Sequence, residues 1–153
     1  MGIKRSFDII CALCGLIILS PVLLLIIVLT KLTSTGPVFF RQTRVGQYEK
    51  LFQIHKFRTM IVNAEASGLK ITVGRDPRIT SIGHFLRKTK LDELPQLIDV
   101  LMGTMSLVGP RPEVPEYVQY YTNEVKAIVL SVRPGITDWA SIKMIDENGS
   151  LPR

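Results

Sequence analysis

In Arg87-Lys88-Thr89-Lys90-Leu91-Asp92-Glu93-Leu94-Pro95-Gln96-Leu97, three cations and two adjacent carboxylates fall within seven residues. These are the residue types phosphoryl chemistry needs. Cations draw in and screen a phosphate, while one carboxylate attacks phosphorus and its neighbour manages a proton or a divalent cation such as Mg²⁺. The spacing also fits a plainer role. Acidic residues are favoured at helix starts by capping and by the helix dipole, and Pro95 suits the first turn of a helix beginning at Asp92.

A second stretch, Ser106-Leu107-Val108-Gly109-Pro110-Arg111-Pro112-Glu113, places one arginine between two prolines. The prolines pre-set the backbone, so the Arg111 guanidinium is aimed at low entropic cost, as a fork for phosphate or carboxylate or simply as part of a rigid turn. His55-Lys56-Phe57-Arg58-Thr59-Met60 brings two more cations, Lys56 and Arg58, to a strand end, where solvated charge is the ordinary reading. Arg133-Pro134-Gly135-Ile136-Thr137 reads as a plain turn that begins with a cation. Cys11-x-x-Cys14 lies in an apolar run with no second pair and no histidine nearby, so both are read as small apolar residues rather than zinc or redox ligands.

Several elements must hold these residues. Val38–Arg44 and Leu51–Phe57 read as strands of a hairpin closed by the loop Val45–Glu49; in the second strand Leu51, Gln53, His55 and Phe57 alternate with Phe52, Ile54 and Lys56. A helical turn is expected around Thr59 to Ser67, a loop at Gly74–Arg78, and a short helix over Ile82–Arg87. Leu94, Leu97, Ile98 and Leu101 recur at helical spacing and predict a helix over Asp92–Met102, ended by Gly103. Val118, Tyr121, Val125 and Val129 predict a further amphipathic helix over Pro115–Val132.

The chain has 153 residues, enough for one compact domain, and a net charge of +6. Its mean hydropathy of +0.26 is lifted by one segment, Ile9–Thr30, 22 residues without a charge. That is long enough for a spanning helix, at about 20 residues. It exceeds a signal-peptide core and no small-x-small cleavage site follows, so the segment is expected to stay attached. Between Lys31 and Lys90 stand 12 Lys or Arg against Glu49, Glu65 and Asp76. Such a basic stretch suits phosphates, nucleotides or anionic lipid headgroups. No nucleic-acid-binding motif or aromatic platform accompanies it, so nucleic acid is not an expected partner. Lys4 and Arg5 precede the apolar run while Lys31, Arg41 and Arg44 follow it, so flanking charge does not choose an orientation.

Taken together and in order, Ser20-Pro21, Lys56-Phe57-Arg58-Thr59-Met60, Asp76-Pro77-Arg78-Ile79-Thr80, Arg87-Lys88-Thr89 leading to Leu91-Asp92-Glu93-Leu94-Pro95-Gln96-Leu97, Gly109-Pro110-Arg111-Pro112 and Pro134-Gly135-Ile136-Thr137 strongly resemble the bacterial sugar transferases, the monotopic phosphoglycosyl transferases. The match covers about residues 2 to 142. The resemblance implies an α+β, mostly helical fold: an N-terminal re-entrant membrane helix-break-helix bent at Ser20 and Pro21 (residues 1–33), then a cytoplasmic catalytic domain (34–153) with a small β-hairpin and amphipathic interfacial helices. It implies transfer of a sugar-1-phosphate from a UDP-sugar to polyprenol (undecaprenyl) phosphate in the bacterial cytoplasmic membrane. UMP leaves, and a surface glycan is initiated. Asp92 would be the nucleophile and Mg²⁺ ligand, with Glu93 assisting and Arg87, Arg111, Lys56 and Arg58 binding phosphate or substrate.

The chain also departs from the family pattern. Gln47-Tyr48-Glu49 lacks an expected glycine, Lys90 replaces a small or hydroxyl residue, Thr104 stands where an acid is common, and Asp138-Trp139-Ala140-Ser141 follows a less common branch that bears on donor choice. Family domains continue for several tens of residues beyond Ile136, so the ending Asn148-Gly149-Ser150-Leu151-Pro152-Arg153 is expected to be a truncation. The competing expectation is a membrane-anchored basic domain that binds anionic lipid, or scaffolds glycan assembly, without catalysis.

Overall fold

A computed structural model describes residues 2–62, 64 and 76–138. The expected helical turn after Thr59, the residues Gly74 and Arg75, the segment from Trp139 and the tail 148–153 lie wholly or largely outside the described residues.

The apolar segment forms one helix, α1 (Ile3–Thr33). It is about 46 Å long at 1.5 Å per residue, and its most apolar 18 residues have a mean hydropathy of 3.0. The expected break at Ser20-Pro21 is absent: helix is continuous through both residues. Pro21 cannot donate to the carbonyl of Ile17, but Ser20 Oγ donates to that same oxygen at 2.8 Å. The orphaned acceptor is satisfied from within the turn, so nothing forces the helix apart.

One face of α1 carries Asp8, Ala12, Gly15, Leu19, Leu23, Ile26 and Thr30, all buried or half-buried along its whole length. The opposite face exposes Phe7, Ile10, Ile17, Ile18, Leu24 and Leu25. The inward stripe supports two core clusters. Ala12 packs with Ile54, Val100 and Met105, and Ile26 packs with Phe57 and Leu86.

The hairpin forms as expected. Strands β1 (Phe39–Val45) and β2 (Leu51–Phe57) pair antiparallel from Phe39↔Phe57 to Val45↔Leu51, and the Phe39 and Phe57 rings stack at 5.5 Å. The alternation in β2 serves two cores, Ile54 entering one cluster and Phe57 the other. The missing loop glycine has a backbone consequence. Tyr48 and Glu49 hold φ of 56° and 60°, the left-handed region that L side chains occupy at a cost.

Helix α2 (Ser81–Thr89) is capped by Thr80, whose hydroxyl accepts from Gly83 N. The helix expected from Asp92 is shorter. Leu91–Glu93 form a 3₁₀ turn and α3 spans Gln96–Met102. Pro95 has no N–H for the Leu91 carbonyl, which Leu94 N takes instead at 3.3 Å. The long helix over Pro115–Val132 is likewise two short ones, α4 (Pro115–Val118) and α5 (Asn123–Val129). Thr122 stands extended between them, its hydroxyl accepting from Val125 N, so a capping residue ends what the apolar spacing would continue.

One pairing has no local sequence signal. β3 (Ser106–Val108) and β4 (Gly135–Thr137) run parallel, although they read as turns. Their backbones approach at Gly109 and Gly135, where a Cβ on either residue would overlap backbone atoms of the other segment.

Candidate active site

Asp92 and Glu93 lie in the 3₁₀ turn joining α2 to α3, entered through Lys90 at φ 59°. A non-glycine residue thus holds a left-handed conformation, at a cost, where the chain enters the turn that carries the two carboxylates. Strand β2 is fixed beside this turn by Asp99 of α3. That fully buried carboxylate accepts the His55 N–H at 2.9 Å and meets His55 Nδ1 at 2.7 Å.

The next residue, Lys56, points the other way. Its Nζ donates to Glu93 Oε1 at 2.7 Å, with both side chains about 15% exposed. Arg111 reaches the same oxygen, Nη2 to Oε1 at 3.6 Å. Its segment is pinned on both sides. Gly109 N donates to Thr137 O (3.0 Å) and Gly135 N to Pro110 O (2.9 Å). Val45 N donates to Glu113 O (2.9 Å) and Arg44 Nη1 to Pro112 O (2.9 Å). The two prolines and the glycine pair thus hold the guanidinium of Arg111 beside the Glu93 carboxylate.

The two acids have different environments. Burial works to raise the Glu93 carboxyl, but the charge and hydrogen bond of Lys56, then Arg111 and Lys90, outweigh it and hold Glu93 below the usual glutamate range. Burial raises Asp92, and the neighbouring Glu93 charge raises it further; Lys56 and Lys90 offset this only in part. Asp92 Oδ1 is buried without a hydrogen-bond partner. Glu93 is paired with cations, whereas Asp92 keeps one buried oxygen without a partner and a carboxyl raised above the ordinary aspartate range.

The other expected phosphate ligands are placed differently. Arg58 is buried, and its amino groups donate to Thr35 O (2.6 Å), Ser34 O (2.9 Å) and Ser34 Oγ (2.7 Å). It therefore ties down the chain as it leaves α1 and is not presented to a ligand. Arg87, in the last turn of α2, directs Nε to Thr59 Oγ1 at 2.9 Å. Asp76 and Arg78 form a buried pair, Oδ2 to Nη2 at 2.6 Å, which holds the Asp76 carboxyl down at about 2. Beside Glu93 a small open cleft is lined by Lys56 and Arg111 and also by Arg44 and Gln96. Neither of the last two was singled out for the site by the sequence. Arg44 is far from the acids in sequence, and Gln96 lay inside the helix expected from Asp92 with nothing to set it apart.

The bacterial sugar transferase family model matches residues 1–151. The chain belongs to that family. It is 46% identical over 142 residues to the UDP-glucose:undecaprenyl-phosphate glucose-1-phosphate transferase of Escherichia coli, covering 92% of this chain and 31% of that protein. It is 44% identical over 142 residues to the UDP-N-acetylgalactosamine-undecaprenyl-phosphate N-acetylgalactosaminephosphotransferase of Aeromonas hydrophila, covering 92% and 34%. A putative undecaprenyl-phosphate N-acetylgalactosaminyl 1-phosphate transferase of Bacillus subtilis is 45% identical over 125 residues, covering 82% and 70%. The chain thus spans about a third of the length of the first two relatives.

Proposed function

We infer that this sugar transferase chain moves a sugar-1-phosphate from a UDP-sugar to undecaprenyl phosphate through a covalent intermediate on Asp92. The observation that carries this reading is the asymmetry of the acid pair. Glu93 is held by Lys56 and Arg111, whereas Asp92 Oδ1 is buried without a partner and the Asp92 carboxyl is raised above the ordinary aspartate range. A nucleophilic carboxylate needs that environment, and an anionic diphosphate needs cations beside it.

In the first displacement an Asp92 oxygen attacks the phosphorus that bears the sugar. The bond to the bridging oxygen breaks, and UMP leaves with the electron pair. In the second, an oxygen of the acceptor phosphate attacks the same phosphorus and the Asp92 carboxylate departs. The two half-reactions let a water-soluble donor and a lipid acceptor use the site in turn. Lys56 and Arg111 hold Glu93 and leave positive charge facing the diphosphate. Arg87 is retained as a phosphate ligand on family resemblance, close to Thr59.

The donor set suits Mg²⁺, which binds through one or two carboxylates and completes its shell with phosphate oxygens and water. Asp92 offers an unpartnered oxygen, and among the described residues no group of three or more ligating side chains forms a closed site. When bound, the ion would neutralise charge developing on the diphosphate.

Placement at the membrane follows from α1. Its N-terminal end is held by Ser106 and Val108, with Lys4 Nζ donating to Val108 O (3.3 Å) and Ser106 Oγ to Asp8 Oδ2 (2.8 Å). Its C-terminal end is held by Arg58 through Ser34 and Thr35. The stripe from Asp8 to Thr30 is packed against that unit along the whole helix, so a helix crossing the hydrocarbon core would leave this packed face without its partners. This supports a monotopic anchor with its exposed apolar face in one leaflet; the cytoplasmic placement of the site and surface glycan as the end product rest on the family resemblance.

The test is UMP release from a panel of UDP-sugars, with undecaprenyl phosphate and Mg²⁺. Release is expected from at least one donor, and Asp92→Asn abolishes it. Binding to anionic vesicles without release from any donor would instead favour the non-catalytic lipid-binding reading.

A further inference from the structure

Two polar side chains in the cleft beside Glu93 have no part in the chemistry above. Arg44, near the end of β1, is half-buried. Its amino groups meet only neutral acceptors, Pro112 O at 2.9 Å and Gln42 Oε1 at 2.6 Å. Its Nε has no acceptor, and no carboxylate among the described residues comes within ion-pair distance. Burial and the adjacent Arg111 lower its proton affinity, while Glu113 and Glu93 act from further off. A cation taken out of water without a direct counter-charge is costly.

Gln96, the first residue of α3, is 2% exposed and lines the same cleft. Its side-chain amide makes no hydrogen bond to any described residue, and what little of Gln96 is exposed includes that amide, at the cleft. An anion in the cleft would meet both groups. It would supply the counter-charge that Arg44 lacks and an acceptor for the Gln96 amide. Arg111, half exposed, offers a second planar fork on the same ligand.

We propose that Arg44, Gln96 and Arg111 form a second phosphate subsite, beside the carboxylates, that takes a substrate phosphate other than the one Asp92 attacks. The identity of that phosphate rests on the transfer reading above. It is either the nucleotide phosphate of the donor, which departs in UMP, or the monophosphate of the acceptor. Arg44 is also a positioning residue, since its bond to Pro112 O fixes the segment that carries Arg111.

The experiment uses the full chain in nanodiscs with Mg²⁺ and compares Arg44→Lys, Arg44→Gln and Gln96→Met. UDP binding is measured by calorimetry, the KM for each substrate by UMP release, and folding by thermal melting. Gln96→Met keeps the side-chain volume, so it tests the subsite even if Arg44→Gln unfolds. If the donor phosphate occupies the subsite, UDP affinity falls about tenfold or more in Gln96→Met and Arg44→Gln, with partial recovery in Arg44→Lys. If the acceptor occupies it, UDP affinity holds and the KM for undecaprenyl phosphate rises by a similar factor while kcat changes little.

Binding and KM values within about twofold of the parent, with only the melting temperature moving, overturn the subsite. The two readings fail separately. A parent chain that binds UDP through these residues but transfers nothing sinks the transfer reading alone. Normal transfer with unchanged constants in all three variants sinks the subsite alone.

Discussion

Asp92 and Glu93 adjoin in sequence but respond to pH in opposite directions. Asp92 is raised above its ordinary value of 3.8, so the folded chain holds that proton more tightly than the unfolded chain. Its ionisation therefore lowers stability as pH rises from 3.8 through the folded-state value. Asp92→Asn should melt higher than the parent at pH 7, with the gain vanishing below the ordinary aspartate range, while UMP release falls by about 10³-fold or more. A variant that melts lower at pH 7 would show the carboxylate to be a stabilising group, contrary to its burial. The acidic limb of the parent's kcat/KM profile should likewise lie above 3.8. Glu49 gives a residue-scale prediction away from the site. Glycine at its φ of 60° removes strain of about 1–2 kcal/mol and returns part of it as unfolded-chain entropy, so Glu49→Gly should stabilise by about 0.5–1 kcal/mol. The absent glycine was legible in the sequence; the fact that Glu49 itself, along with Tyr48, takes the strained conformation was not.

Among the elements, those defined by local pattern were readable. The hairpin strands carried their own alternation, and the Asp92-Glu93 pair stood out by residue type. What failed depended on competition or distance. Thr122 overrode a helical stripe that continued on both sides of it, and Pro95 displaced the start of α3 past the two acids. The β3–β4 pairing joins segments some 27 residues apart by register, and three-residue strands have no periodicity to detect. The same pairing converts the two turn-like motifs into one support for Arg111. Gly135→Ala should force those backbones apart, costing about 3 kcal/mol, and should lower transfer activity beyond what stability explains. Activity that persists in proportion to folded protein would mean Arg111 does not depend on that approach. Arg58 shows the limit of residue type as a guide, because a guanidinium beside Lys56 in sequence turned out to hold Ser34 and Thr35.

For the whole molecule, α1 is long and apolar enough to anchor in a membrane and also forms one wall of the core. Cysteines introduced as Gly2→Cys and Thr35→Cys, with Cys11 and Cys14 changed to serine, should both react with a membrane-impermeant maleimide from the same side of sealed vesicles. Opposite-side labelling would establish a spanning helix. Replacing α1 by an unrelated apolar helix should keep the chain in the membrane yet leave it unfolded, since Asp8, Ala12 and Ile26 are specific packing partners. The grip on Asp8 has a further consequence, in biosynthesis. Ser106 and Leu107, which hold its carboxylate, emerge about a hundred residues later. At roughly 5–20 residues per second they trail by about 5–20 s. On the monotopic reading proposed above, Asp8 has only water to solvate its charge during that interval, so the newborn helix should stay at the membrane surface until its partner strand is made.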